Sequence, residues 1–224
     1  MKRIALLLSA SALLFISCNN SGDEATKTNT PAAEAKTETP EVKKDAPTGP
    51  PDSAQMAAMM KAWEDFAKPG DMHSWMKKSA GTWVSDSVAS WMMPGEPPTY
   101  GKAASTEKVL LGGLYMEGDY SGIMMGAPMS GKSLMGYDKM KKKFVMSWVD
   151  NMGSGIVRME GEYDAATKTL NMKGKQSDPG RNIETDMRQE QKWIDDNTYM
   201  LTMYGTGHDG KEAKFMQGTF KRKK

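Results

Sequence analysis

From Lys143 to Asp150 the chain alternates with a period of two: Phe144, Met146, Trp148 and Asp150 share one face, and Val145, Ser147 and Val149 share the other. This is the pattern of a β-strand. Because both faces carry apolar residues, the strand is expected to be covered on both sides or to curl around an interior. Across residues 131–163, three such runs are separated by Asp138-Lys-Met-Lys and by Asn151-Met-Gly-Ser-Gly155. Loops this short send the chain straight back beside itself, so the region reads as an antiparallel meander.

The same reading carried along the chain predicts ten strands: Thr82–Trp91, Lys102–Leu110, Leu114–Met124, Lys132–Tyr137, Lys143–Asp150, Gly155–Tyr163, Thr169–Gln176, Ile183–Trp193, Thr198–Tyr204 and Ala213–Arg222. Turn chemistry separates them at Asp164-Ala-Ala-Thr-Lys168, Asp178-Pro-Gly180, Asp195-Asp-Asn197 and Gly207-His-Asp-Gly210, and Pro94-Gly-Glu-Pro-Pro98 makes a stiffer, wider loop. Many short strands without interleaved helices predict an all-β domain, a single antiparallel barrel or sandwich of about ten strands, with an up-and-down barrel the form favoured by the chain's two ends.

Two helices precede the strands. Asp52 with Gln55 forms a capping box, and Met56, Met59, Met60, Trp63 and Phe66 then fall at spacings of three and four, one face of a helix that stops at Pro69-Gly70. Asp71 is expected to cap a shorter helix that carries Met72, Trp75 and Met76 on its inner side and ends at Gly81. Both stripes predict core packing, with the helices plugging one end of the barrel.

The N-terminal quarter has a different character. Met1-Lys-Arg followed by the apolar run Ile4–Ile16 and Ser17-Cys18 resembles a bacterial lipoprotein signal, which implies cleavage after residue 17 and acylation of Cys18. Cys18 is the only cysteine, so acylation would leave no thiol for disulfides, metal binding or nucleophilic chemistry. Residues 18–52 are rich in Thr, Ala, Glu, Lys and Pro and have almost no large apolar residue, the composition of a disordered tether with a reach of about 35 Å. The predicted division is therefore signal peptide 1–17, lipidated tether 18–52 and barrel 53–224. The expected address is the cell envelope, lipid-anchored at the outer membrane, with the membrane contacted through the N-terminal lipid only.

Charge narrows the partners. Cleavage would remove Lys2 and Arg3 from 30 basic residues and none of the 28 acidic ones, leaving a balanced chain with no electrostatic support for nucleic-acid binding.

Gly81-Thr-Trp83 after a short helix resembles the Gly-x-Trp start of lipocalin-like barrels, and Arg222 resembles the basic residue of the last strand that stacks on that tryptophan and closes the barrel. Over Met59–Arg222 the chain also resembles the domain of unknown function 1579 family. The likeness is carried by Trp63-x-x-Phe66-x-x-Pro69-Gly70-x-x-His73, Gly81-x-Trp83, Trp91-x-x-Pro94-Gly95-x-Pro97-Pro98, Gly112-Gly113, Gly126-x-Pro128, Gly136-Tyr137-Asp138, Trp148-x-Asp150, Asp178-Pro179 and Lys221-Arg222. It implies a lipocalin-like barrel and brings no established activity.

Catalytic constellations are hard to assemble. With two histidines, no Gly-x-Ser-x-Gly elbow and no phosphate loop, no catalytic residue, metal site or cofactor is assigned, and a non-enzymatic protein is expected. His73 either reaches a ligand or ties the helix junction to the barrel, and His208 is expected at an exposed hairpin tip. Asp150 and Arg158, with Trp148, Tyr137 and Trp91, either form a barrel-mouth site that orients a polar head group or make an ordinary hairpin salt bridge.

The 22 Met residues are the compositional outlier. They read as an adaptable apolar lining, as thioether ligands for copper, or as sacrificial oxidant targets. The leading expectation is a small, mostly apolar molecule bound inside the barrel. The alternatives are a Met-rich copper-binding or oxidant-buffering protein, and a structural envelope protein with a filled barrel.

Overall fold

The computed structural model describes residues 49–224. The expected signal peptide, Cys18 and the tether as far as residue 48 lie outside the described residues. Ten strands follow two helices: α1 Ser53–Ala67, α2 Asp71–Lys77, β1 Gly81–Ser90, β2 Thr99–Leu110, β3 Tyr115–Met124, β4 Ala127–Asp138, β5 Lys143–Asp150, β6 Val157–Asp164, β7 Thr169–Asp178, β8 Ile183–Asp195, β9 Thr198–Thr206 and β10 Glu212–Arg222. Each strand pairs antiparallel with its sequence neighbours and β1 pairs with β10, which closes the sheet into an up-and-down barrel.

Short turns make this topology. Asp138, Asp164, Asp178 and Asp195 each accept a backbone N–H two or three residues on, and the turns after β4, β6 and β7 end on residues held at left-handed φ, Lys142, Lys168 and Asn182. Between β3 and β4 the turn is two residues, Met125 and Gly126, both at positive φ. That hairpin lengthens β4 beyond its expected start at Lys132: Pro128 sits opposite Ile123, close to the strand's beginning, where a missing N–H is tolerated.

Closure is secured at the seam. Arg222 stands opposite Trp83, with its guanidinium carbon 4.1 Å from the indole centroid. It donates to the carbonyls of Ala80, Lys78 and Asp196, so one side chain ties the last strand to the α2–β1 link and to the β8–β9 turn. A bulge between Val84 and Val88 of β1 shifts the register against both neighbours and adds twist at the seam.

The two helices part company. α2 plugs the barrel end where β1 begins: Met76 is fully buried, and Trp75 packs edge-on against Phe144 at 5.1 Å and tilted over Tyr163 at 4.2 Å. Gly70, not Asp71, takes its N-cap position, and His73 caps it in reverse by accepting the Gly70 N–H on Nδ1 at 3.1 Å. The α1 capping box forms between Asp52 and Gln55, but α1 contributes no buried residue. Core packing of its stripe is thereby corrected: Met59, Met60 and Trp63 are more than half exposed, and the helix is fastened mainly at its C-terminus, where Lys139 donates to the carbonyls of Asp65 and Lys68. The seven-residue α2 occupies that end of the barrel. None of the described helices is long and apolar enough to cross a membrane.

The helices therefore differ in what their side chains contribute. Met76→Ala is expected to destabilise the fold by about 2–5 kcal/mol through the cavity it leaves, whereas Trp63→Ala should change stability by less than about 0.5 kcal/mol. Urea unfolding of the two variants checks this, and equal losses would show that α1 packs on the barrel.

Candidate functional site in the barrel interior

Inward-facing residues follow from the register. Met135 pairs with Met116 and Met146, and Ser133 pairs with Gly118 and Trp148, so alternate residues of β3, β4 and β5 point inside together. Near α2 these side chains form a dense core of Met76, Met116, Phe144, Met159, Leu170 and Met172. Towards the opposite end they draw apart. A cavity of about 530 Å³ remains, open between the loops after β1, β3, β5, β7 and β9. The filled-barrel expectation is corrected by this volume: ten strands enclose a wider interior than eight, and the side chains do not fill it.

The mouth is apolar on one side and polar on the other. Met92, Met93, Met124, Met125 and Met129 line one arc, and Asp178, Arg181, His208 and Lys214 the other. Arg181 is fully engaged: it donates to Asp178 at 2.8 Å and to the carbonyls of Thr206 and Gly207 at 2.8 and 2.9 Å, tying two mouth loops together. Lys214 lies 4.6 Å over the Trp91 ring. His208 is exposed at its hairpin tip.

Trp148 forms the wall below the mouth. Its indole N–H donates to Asp150 at 2.6 Å, its ring occupies the space a Cβ on Gly131 would fill, and it meets Tyr120 edge-on at 5.0 Å. Asp150 also accepts the Met152 N–H at 2.8 Å, so its carboxylate orients the tryptophan and the loop after β5.

A polar cluster lies deeper, and the sequence reading missed it. Glu107 and Ser105 of β2, Tyr120 of β3, Ser133 of β4 and Tyr199 of β9 converge on one side of the interior. Gly118 makes room for them. A Cβ there would stand 2.6 Å from the Ser133 hydroxyl and 2.8 Å from a Glu107 carboxyl oxygen. Burial pushes the Glu107 carboxyl up to about 7, opposed by the facing Tyr120 and Ser105 hydroxyls and reinforced by Asp119. Burial and the Glu107 charge together raise the Tyr120 phenol well above its ordinary value. The Tyr199 phenol is raised as well, chiefly by burial. The Ser105 hydroxyl is buried between Glu107 and Tyr199.

Of the residues singled out from the sequence, Trp91, Trp148 and Asp150 line the cavity. Tyr137 and His73 do not reach it. They pack edge-on against each other at 5.8 Å beside Phe144, beneath the floor, where burial and then Lys139 and Lys77 hold the imidazole below its ordinary pKa. Arg158 is on the outer face: Val157 pairs with Trp148 and takes the inward position, so Arg158, opposite Ser147 and Lys175, points to solvent and makes no pair with Asp150. One signal for the missed cluster was present. On β2 the face of Ala103, Ser105 and Glu107 alternates with Lys102, Thr106 and Lys108, so the lysine-free face carries an acid.

The model of the family described as Protein of unknown function (DUF1579) matches residues 68–222. The chain belongs to the DUF1579 family. The match spans α2, all ten strands and the Arg222 seam, and leaves α1 outside. Among solved structures, this DUF1579 barrel is similar to the crystal structure of Rv2717c from M. tuberculosis, with 9% identity and a TM-score of 0.51, over 70% of this chain and 100% of that one. At that identity the likeness concerns the fold alone. No curated protein matches the chain.

Glu107 links the site to stability. Its folded pKa of about 7 stands above the ordinary 4.5, so the protonated carboxyl is favoured by folding. The contribution is complete below about pH 4.5 and is lost as pH rises through 7, with an upper bound of about 3 kcal/mol. Water in the open cavity reduces that figure. Glu107→Gln should remove this dependence, so that the variant gains on the wild type between pH 4.5 and 8. Urea midpoints for both proteins at the two ends of that range provide the check, and parallel profiles would contradict it.

Proposed function

We propose that this DUF1579 protein is a non-enzymatic binding protein of the cell envelope, anchored by lipid on Cys18, that holds a small and mostly apolar molecule in the barrel. The observation that carries the reading is the cavity of about 530 Å³, open at one end, closed at the other by α2, and walled by methionine and aromatic side chains. A volume of this size suits a drug-sized molecule. Thioethers flex to fit varied shapes, which favours an adaptable lining. The thioethers are spread through the plug, core and lining rather than gathered around a histidine, so the ligand reading is preferred to copper or oxidant chemistry.

The test is native mass spectrometry of the full chain purified from its own host, followed by denaturation to release and identify any bound molecule. A stoichiometric small molecule is expected, and Ala103→Phe, which fills cavity space, should lose it while retaining the β-sheet circular dichroism spectrum. A bare mass that also fails to take up 4-phenylbutanol would overturn the binding reading.

Anchoring is tested separately by fractionation. Cys18→Ala should move the protein from the membrane pellet to the soluble fraction and abolish incorporation of a labelled fatty acid. Unchanged sedimentation and labelling would refute acylation at Cys18.

A further inference from the structure

The deep cluster narrows the class of ligand, an inference that rests on the cavity-binding reading above. Glu107 is a carboxyl on the wall of an apolar cavity, and among the described residues it forms no ion pair. The lysine and arginine that line the cavity, and Arg222 at the seam, are committed elsewhere. Arg181 is held by Asp178 and two carbonyls, Lys214 by the Trp91 ring and Gln217, and Arg222 by three carbonyls and the Trp83 ring. Beside Glu107 on the cavity wall stands the Ser133 hydroxyl, and the two converge on the space that Gly118 leaves free. A carboxylate on an apolar wall with no cation beside it is costly, because the solvation it loses is not replaced.

The aromatic surround points the same way. Tyr120 from β3 and Tyr199 from β9 face the carboxyl, Trp148 stands edge-on behind Tyr120, and Trp83 lies 4.9 Å from Tyr199. Aromatic faces attract cations. A ligand carboxylate would meet Glu107 as a like charge, and a wholly apolar ligand would leave the niche unsatisfied. A metal ion finds too few ligands, since no cluster of three His, Cys, Asp or Glu side chains exists among the described residues. An ammonium group brings both a charge for the carboxylate and N–H donors for hydroxyl oxygens.

The geometry points to a subsite for the ammonium head of a primary alkylamine or arylalkylamine. Glu107 holds the charge, Ser133 accepts a further proton, and Tyr120 and Tyr199 flank the head. The apolar body then runs towards the mouth along Trp148 and the methionines. Gly118 is the residue that keeps the niche open.

The test uses three probes with one apolar body, namely 4-phenylbutylamine, 4-phenylbutanol and 4-phenylbutyrate, titrated by calorimetry into the full chain at pH 8. The amine should bind about tenfold or more tightly than the alcohol, as expected for a charge-assisted hydrogen bond in a desolvated site. Lowering the pH to 5 should weaken the amine by about tenfold or more as Glu107 takes up a proton, with Tyr120 and Tyr199 remaining neutral throughout and Asp119, on the outer face, remaining ionised. Glu107→Gln should abolish the amine's advantage without changing the alcohol's affinity. Gly118→Ala, which keeps the carboxyl but intrudes on the niche, should weaken the amine more than the alcohol, and thermal melts establish that both variants fold. If the alcohol matches the amine in the wild type, or if Glu107→Gln leaves their ratio unchanged, the amine subsite is wrong while the cavity reading survives. If none of the three binds at millimolar concentration, the cavity reading fails and takes the subsite with it.

Discussion

Everything inside this molecule depends on the pairing of β1 with β10. An open ten-stranded sheet would expose two edges and one apolar face, and its inner methionines would have no opposite wall to meet. Closure turns that face inwards and makes the parity of every strand consistent around the ring. The seam is reinforced where the bulge in β1 interrupts the strand pairing. There Arg222 adds a planar cation on Trp83 and hydrogen bonds to carbonyls from two other segments. Those contacts fix the α2–β1 link, and with it the position of the plug. The cavity is what remains when a ten-stranded ring is stopped at one end by a short helix.

The strands were legible because their boundaries are written in turn chemistry that acts locally. An Asp whose side chain takes up a nearby N–H sets a turn whatever the rest of the chain does, and Asp138, Asp164, Asp178 and Asp195 all behave so. The helices show where local pattern stops being informative. α1 and α2 both carry Met and Trp at helical spacing, yet only α2 is buried, because it is α2 that occupies the barrel end. Which helix takes that place is a property of the assembled molecule, and no periodicity encodes it. For Arg158 the reason is register: the loop after β5 is long enough to set Val157 rather than Arg158 opposite the inward Trp148.

The polar cluster was the hardest feature to see. Its members lie on β2, β3, β4 and β9, from Ser105 to Tyr199, and each alone looks like an ordinary strand residue. Hydrophobic patterning marks inward faces by their apolar residues, so it passes over a face of Ala103, Ser105 and Glu107. Trp148 and Asp150, by contrast, sit on a strand whose inner face is marked by Phe144 and Met146, and parity alone put them inside.

A carboxyl in such a place opposes the stability of the barrel. With its pKa lifted to about 7, Glu107 is half ionised near neutrality, and each ionised molecule has lost solvation that no base restores. A leucine or methionine at that position would pack against Tyr120 and Tyr199 without this penalty. Gly118 adds to it, since glycine weakens a strand and leaves its neighbours less well packed. Two unfavourable choices on adjacent strands, directly opposite in the register, are more than packing requires. Local conflict of this kind collects where a protein does its work, because the group that destabilises the empty site is the group that a ligand satisfies. The same free energy that the empty barrel forgoes at Glu107 is then recovered on binding, which makes occupancy and stability two readings of one interaction.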